Sequence, residues 1–397
     1  MNKDFAQRQL DLLRVELQTA IEIEHTTVPP YLTAWFSIHP ESNREVQPIL
    51  RAVVMQEMLH MTLAANVLNA VGGEPIVDDP KFVPGYPTNL PWHAPGFSVG
   101  LERFSRRQIE KFWTIEEPAP DDVWADYPEL AGLGVNTDGA RLLGALTTRN
   151  AAEPPRAHGY QSLGQFYKAV ILRLVWVTLL LGEDQVFTGD PARQVRPEHY
   201  YGGGGQVIEV HDLASAVRAL WTIIVQGEGG PSIWDGSHEP GTPLELAHFY
   251  AYDEILQGRS YRPGDQPLHP TGPVLPVEWE AAYPMRPNPK RQQYEHAPEI
   301  FAKLDAFDKI YFRLLHAIHD AFNGKPDRFR AAVAEMYELK YRAVELMRTP
   351  DPLIPRCHVG PSWGSLPAGT HPARALFEGK HRLFAAYPEL LAGSKTP

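Results

Sequence analysis

The 397-residue chain has a single cysteine, Cys357, so an internal disulfide framework and a thiolate-held metal site are both excluded. Positive charge is in deficit, with 37 Lys and Arg against 48 Asp and Glu and a formal net charge of -11. That balance argues against a surface that tracks phosphates or docks on anionic lipid. Neither nucleic acid nor a membrane is expected as a partner. No uninterrupted apolar run approaches the roughly 18 residues needed to span a bilayer. The nearest, residues 169–181, contains Arg173. The opening Met1–Asn2–Lys3–Asp4–Phe5 lacks the apolar core of a secretion signal, and the expected location is the cytoplasm.

Proline, by contrast, is abundant, with 38 residues gathered in clusters at 83–95, 116–128, 153–155, 263–289 and 350–367. Between the clusters lie long, almost proline-free stretches rich in Leu, Ile, Val and aromatics. This is the signature of helices joined by stiff loops. Helical periodicity runs over residues 4–28 up to Pro29–Pro30, with a continuation to 38 past a proline kink, and over 44–71 up to Gly72–Gly73. Further helices are expected at 105–113, 162–181, 212–228, 243–257, 298–322 and 326–347. The glycine run 202–205 reads as a linker or lid. The class is all-α.

Charged residues interrupt the apolar stripes of these helices. Val53, Glu57, His60, Ala64 and Val67 share one face, so Glu57 and His60 form a Glu-x-x-His pair on adjacent turns. Glu24 continues the stripe Leu10, Leu13, Leu17, Ala20, and Glu228 continues Val217, Trp221, Ile224. Glu228 also stands at a helix C-terminus, where the dipole disfavours an anion. Something positive is therefore expected beside it. Glu245 and His248 repeat the Glu-x-x-His spacing, although Thr242–Pro243–Leu244–Glu245 also fits a capping box.

Burying carboxylates and imidazoles costs several kcal/mol unless a cation or partner compensates. An ion pair or a satisfied core histidine would serve at any one position. The ordered set Glu24; Glu57 and His60; Glu228; Glu245 and His248 is the inventory with which a four-helix bundle holds two metal ions. Iron is the leading candidate, with manganese or zinc as alternatives.

Several stretches resemble the ferritin-like domain named for iminophenyl-pyruvate dimer synthase, found in violacein, rebeccamycin and staurosporine pathway enzymes and in stand-alone bacterial proteins. They are Ile21–Glu22–Ile23–Glu24, Val28–Pro29–Pro30–Tyr31–Leu32–Thr33–Ala34, Gln56–Glu57–Met58–Leu59–His60–Met61 and Asn66–Val67–Leu68–Asn69–Ala70–Val71–Gly72–Gly73. Ile115–Glu116–Glu117–Pro118, Leu163–Gly164–Gln165–Phe166–Tyr167, Gln226–Gly227–Glu228–Gly229 and Ala247–His248–Phe249–Tyr250 match as well, as does Gly360–Pro361–Ser362–Trp363.

The resemblance implies one elaborated ferritin-like domain over 1–397. Its bundle core would lie at about 4–71 and 206–258, its loop-rich crossover at about 72–205, and a C-terminal loop and helical pair at about 259–397. Glu24, Glu57, His60, Glu228 and His248 fall on motif positions, and Glu245 matches less distinctively. The pathway enzymes couple two imines of aromatic 2-oxo acids within much longer chains, so the resemblance does not carry that reaction over.

The expected activity is a non-haem dinuclear oxidoreductase, dependent on dioxygen or peroxide, acting on a small, aromatic or amino-acid-derived metabolite of secondary metabolism. Two alternatives stay open: imino-acid coupling without metal redox, and a non-catalytic metal-binding protein. Tyr31, Trp35, Trp221 and Tyr252 are candidate substrate contacts, although aromatic residues beside ligand positions equally suit core packing. A reductase partner and homo-oligomerisation are compatible with the sequence.

Overall fold

Helix α1, Lys3–Ser37, runs unbroken through Pro29 and Pro30. A proline at position 30 removes the amide that would have bonded the carbonyl four residues earlier. Here the Tyr86 hydroxyl donates to that Thr26 carbonyl at 2.9 Å. The helix therefore does not stop at this pair, which lies inside one continuous 35-residue helix. In this computed structural model the described residues are 3–118, 157–200, 203–228, 233–235 and 245–364. Thr242, Pro243 and Leu244 of the capping box and Gly202 of the glycine run lie outside them.

Among the described residues, the other helices of ten or more residues are α2 (Val46–Ala70), α3 (Arg106–Ile115), α4 (Leu163–Leu181), α5 (Leu213–Gly227), α6 (His248–Gln257), α7 (Pro298–Phe322) and α8 (Phe329–Met347). Ser105, Ser162 and Asp212 cap α3, α4 and α5 by accepting from backbone amides of the first turn. Extended segments among the described residues form isolated bridges, such as Trp234 with Leu246.

The four-helix bundle consists of α1, α2, α5 and α4, each packed on the next around the ring. This corrects the expected crossover: α4, assigned to it from the sequence, is a bundle helix. The long connection with α3 precedes α4. The expected fourth helix, α6, packs chiefly on α3. At 10 residues it spans about 15 Å, shorter than the bundle helices of 15 to 35 residues. Its start is also later than expected, at His248, because residues 245–247 are extended.

By length and composition α4 could cross a membrane, but 78% of that apolar window is buried inside the protein. Arg173 within it is fully buried, with Nε 2.9 and 2.8 Å from the two Glu16 oxygens of α1 and Nη1 2.7 Å from Gln9 Oε1. Helices α7 and α8 pair with each other, and α8 also lies against α1. Trp363, from the segment after α8, is buried against Phe307 and Tyr311 of α7 and donates to Thr33 Oγ1 of α1 at 2.8 Å. The C-terminal pair is thereby fixed to the bundle.

Candidate metal centre

Six acidic and imidazole side chains converge where α3 and α6 meet the bundle. Glu24 comes from α1, Glu57 and His60 from α2, Glu116 from the residue capping the end of α3, Glu228 from the one capping α5, and His248 opens α6. None is more than 6% exposed. The stripe periodicity of each helix puts its charged member on the face that packs inward, so the fold buries them together.

The two imidazoles stack with ring centres 5.3 Å apart. His60 Nδ1 lies 3.4 Å from Glu24 Oε2. His248 Nδ1 lies 2.9 Å from Glu57 Oε1 and 3.6 Å from Glu116 Oε1. Despite the short distance, His248 Nδ1 makes no hydrogen bond of acceptable direction, and Glu116 Oε2 and the Tyr252 hydroxyl are likewise without one. Buried polar atoms left without a partner call for an explanation, and a bound ion is one.

Each carboxylate is tethered through one oxygen. Tyr167 donates to Glu24 Oε1, Thr27 to Glu57 Oε2 at 2.7 Å, Tyr31 to Glu116 Oε1 at 2.7 Å and the Gly164 amide to Glu228 Oε1 at 2.6 Å. With one donor atom from each residue, two groups lie within 4.8 Å, Glu24–Glu57–His60 and Glu57–Glu116–His248. Glu57 belongs to both. Each group can hold a metal ion. Among the described residues, the cationic partners at ion-pair distance from Glu24, Glu57 and Glu116 are these imidazoles, with no Lys or Arg.

The electrostatics of the metal-free cluster follow from burial. Desolvation pushes the Glu24 and Glu228 carboxyls up to about 7 and the His60 imidazole down to about 4. Burial also works to lower His248, but the Glu116 and Glu57 carboxylates outweigh it and raise the imidazole to about 10. The fold thus holds protons where a cation would relieve the same strain.

Of the residues expected from sequence, Glu24, Glu57, His60 and His248 come together in one buried cluster. Glu228 reaches the same cavity, which it lines with Glu24, Glu57, His60, Glu116, Gly164 and Tyr167. The positive partner expected beside Glu228 is the N-terminus of α4, through the Gly164 amide and the Ser162 side chain. Glu245 is displaced: exposed and outside any helix, it accepts from Gln56 Nε2 at 3.0 Å, and Gln56 stands between it and His248.

Tyr31 and Tyr252 are buried at the cluster, edge to face with ring centres 5.6 Å apart. Trp35 lies away from it, in a surface pocket with Arg44, Arg51 and Glu245, its ring 4.3 Å from Lys340 Nζ. Trp221 packs in the apolar core of α5 and is not among the residues lining the cavity. The glycine run is no free linker either: a Cβ on Gly204 (φ +78) would fall 2.7 Å from Gln56 backbone atoms, so the loop lies directly on α2.

Glu116 was missed as a ligand candidate. Its signal was present, because Ile109, Phe112 and Glu116 repeat the apolar-apolar-acid stripe at steps of three and four, and all three are buried.

A family model described as ferritin-like matches residues 17–257. Dichlorochromopyrrolate synthase from Lentzea aerocolonigenes is 26% identical over 309 residues, covering 71% of this chain and 25% of the relative. The chain therefore spans about a quarter of that protein's length. A crystal structure of a ferritin-like protein from Caulobacter vibrioides superposes with a TM-score of 0.56 at 19% identity, covering 88% of this chain and 96% of the other. It shares the fold.

Proposed function

The chain belongs to the ferritin-like family, and on that premise we propose that it is a non-haem dinuclear metal oxidoreductase acting on a small, aromatic or amino-acid-derived metabolite. The observation that carries this reading is the pair of buried donor groups sharing Glu57, with Glu116 Oε2 and His248 Nδ1 left unpartnered. Glu24 and His60 would hold one ion, Glu116 and His248 the other, and Glu57 would bridge. Carboxylate-rich sites with one imidazole per ion suit iron, with manganese close behind. Iron there would supply redox chemistry with dioxygen or peroxide.

The protein's own contribution is orientation and exclusion of water. Thr27, Tyr31 and Tyr167 each hold one oxygen of a carboxylate and so fix its orientation. Tyr252 and Tyr31 place two phenols beside Glu116, where they can hold or pass a proton. Likeness to a synthase of dichlorochromopyrrolate supports a metabolite substrate. It equally favours a second reading, coupling of imino acids without metal redox.

The test is metal analysis of freshly purified protein, followed by stopped-flow absorbance on mixing the ferrous form with dioxygen. Two irons per chain and a transient visible band are expected. Substrate turnover without oxygen would favour the coupling reading, and metal-dependent melting with no small-molecule turnover would leave a non-catalytic site.

A further inference from the structure

Each imidazole of the cluster is met from behind by a buried glutamine. His60 Nε2 lies 2.9 Å from Gln226 Oε1, and His248 Nε2 lies 2.9 Å from Gln56 Oε1. A primary amide has one acceptor oxygen and two donor hydrogens on nitrogen, so its orientation is decided by whatever faces the nitrogen. Gln226 Nε2 faces the Gly204 carbonyl at 2.9 Å. Gln56 Nε2 faces Asp235 Oδ2 at 3.2 Å and Glu245 Oε2 at 3.0 Å. Turning either amide over would set its oxygen against a carbonyl or against carboxylate oxygens. Both amides are therefore locked with the oxygen toward the ring, and an oxygen there requires hydrogen on Nε2.

We propose that Gln56 and Gln226 are positioning residues that fix both imidazoles as the Nε2–H tautomer, so that Nδ1 alone is presented to a metal ion, and that Glu245 acts through Gln56 rather than as a ligand. The inference rests on the metal-centre reading and extends it outward by one layer of side chains. It accounts for three facts at once: the shared 2.9 Å contacts, the inward aim of both Nδ1 atoms, and the exclusion of Glu245 from the donor groups. Groups that orient a metal-bound imidazole affect affinity by roughly 10- to 100-fold when removed.

The experiment uses the full chain labelled with 15N at histidine and loaded with Zn2+, a diamagnetic probe. Long-range 1H–15N correlations report which ring nitrogen carries hydrogen and which carries the ion, and chelator competition reports affinity. In the wild type both rings should be Nε2–H with zinc on Nδ1. Gln56→Leu should lower zinc affinity at the His248 site by about 10- to 100-fold and leave the His60 signals in place. Gln226→Leu should do the converse.

Should these buried substitutions prevent folding, the pair Asp235→Asn with Glu245→Gln decides the matter. The new amides can donate as well as accept, which releases Gln56 to turn over and should give His248 a mixed tautomer. Zinc on Nε2 in the wild type, or wild-type tautomer and affinity in the Gln56 and Asp235/Glu245 variants, would overturn the inference while leaving the metal centre standing. Absence of zinc uptake by the wild type would overturn both.

Discussion

Gly164 and Glu228 meet across the bundle in a contact that only glycine permits. The Gly164 amide donates to Glu228 Oε1 at 2.6 Å, and a Cβ at this position would fall 2.2 Å from Oε2. The carboxylate at the end of α5 is thus seated on the start of α4, and the two helix ends satisfy each other. Gly227 plays a milder version of the same part, with a Cβ there 3.3 Å from Glu116 Oε2.

Gly164→Ala separates this contact from helix propensity. In an ordinary first turn the change would favour the helix by up to about 1 kcal/mol. Here it should push Glu228 off the amide and cost about 1–3 kcal/mol, the penalty of an unsatisfied buried group. Chemical denaturation measures the difference, and an unchanged or raised midpoint would show that Glu228 needs no seat on α4.

Because Glu57 belongs to both donor groups and Glu116 to one, their substitutions should differ in kind. Glu57→Gln is expected to abolish binding of both ions. Glu116→Gln should leave about one per chain, held by Glu24, Glu57 and His60. Metal content after anaerobic reconstitution and desalting reads this directly; equal losses in the two variants would mean that Glu57 is not shared.

The raised His248 imidazole gives a pH dependence with a definite sign. Its ordinary value is 6.5 and its folded value about 10, so between these the folded metal-free protein holds a proton that the unfolded chain has released. Stability from this group is complete below about pH 6.5 and is lost as pH rises toward 10, at up to about 1.4 kcal/mol per pH unit. Glu24 and Glu228 act in the same direction but only up to about pH 7, whereas His60, lowered to about 4, opposes them below pH 6.5. From pH 7 to 9.5 the His248 slope should dominate in metal-free protein and vanish once an ion displaces the Nδ1 proton. Denaturation curves for the two forms that run parallel across this range would contradict it.

The buried Arg173–Glu16 pair ties α4 to α1. Arg173→Met alone strands a buried carboxylate and should cost about 3–5 kcal/mol, whereas adding Glu16→Gln should restore part of that loss. Double-mutant denaturation that shows simple additivity would rule the coupling out.

Much of this arrangement was legible beforehand because buried charge breaks an apolar stripe visibly. Glu24, Glu57, His60, Glu228 and His248 were each readable that way. Helix identity within the bundle was not, since α4 is mostly apolar and its periodicity does not announce which neighbours it has. Glu245 misled because a Glu-x-x-His spacing means shared-face geometry only on a helix, and tertiary pairing of Leu246 with Trp234 keeps that segment extended. Glu116 escaped because a lone acid at a helix end is ordinarily exposed. Its role depends on Tyr31 and His248, which approach from 85 and 132 residues away in sequence.

Anomalous diffraction at the iron edge, from crystals of the full chain soaked anaerobically with ferrous ion, tests the central claim most directly. Two peaks are predicted, one among Glu24, Glu57 and His60 and the other among Glu57, Glu116 and His248. Density for Glu57 hydrogen-bonded between the two imidazoles, with no anomalous signal beside it, would contradict the account.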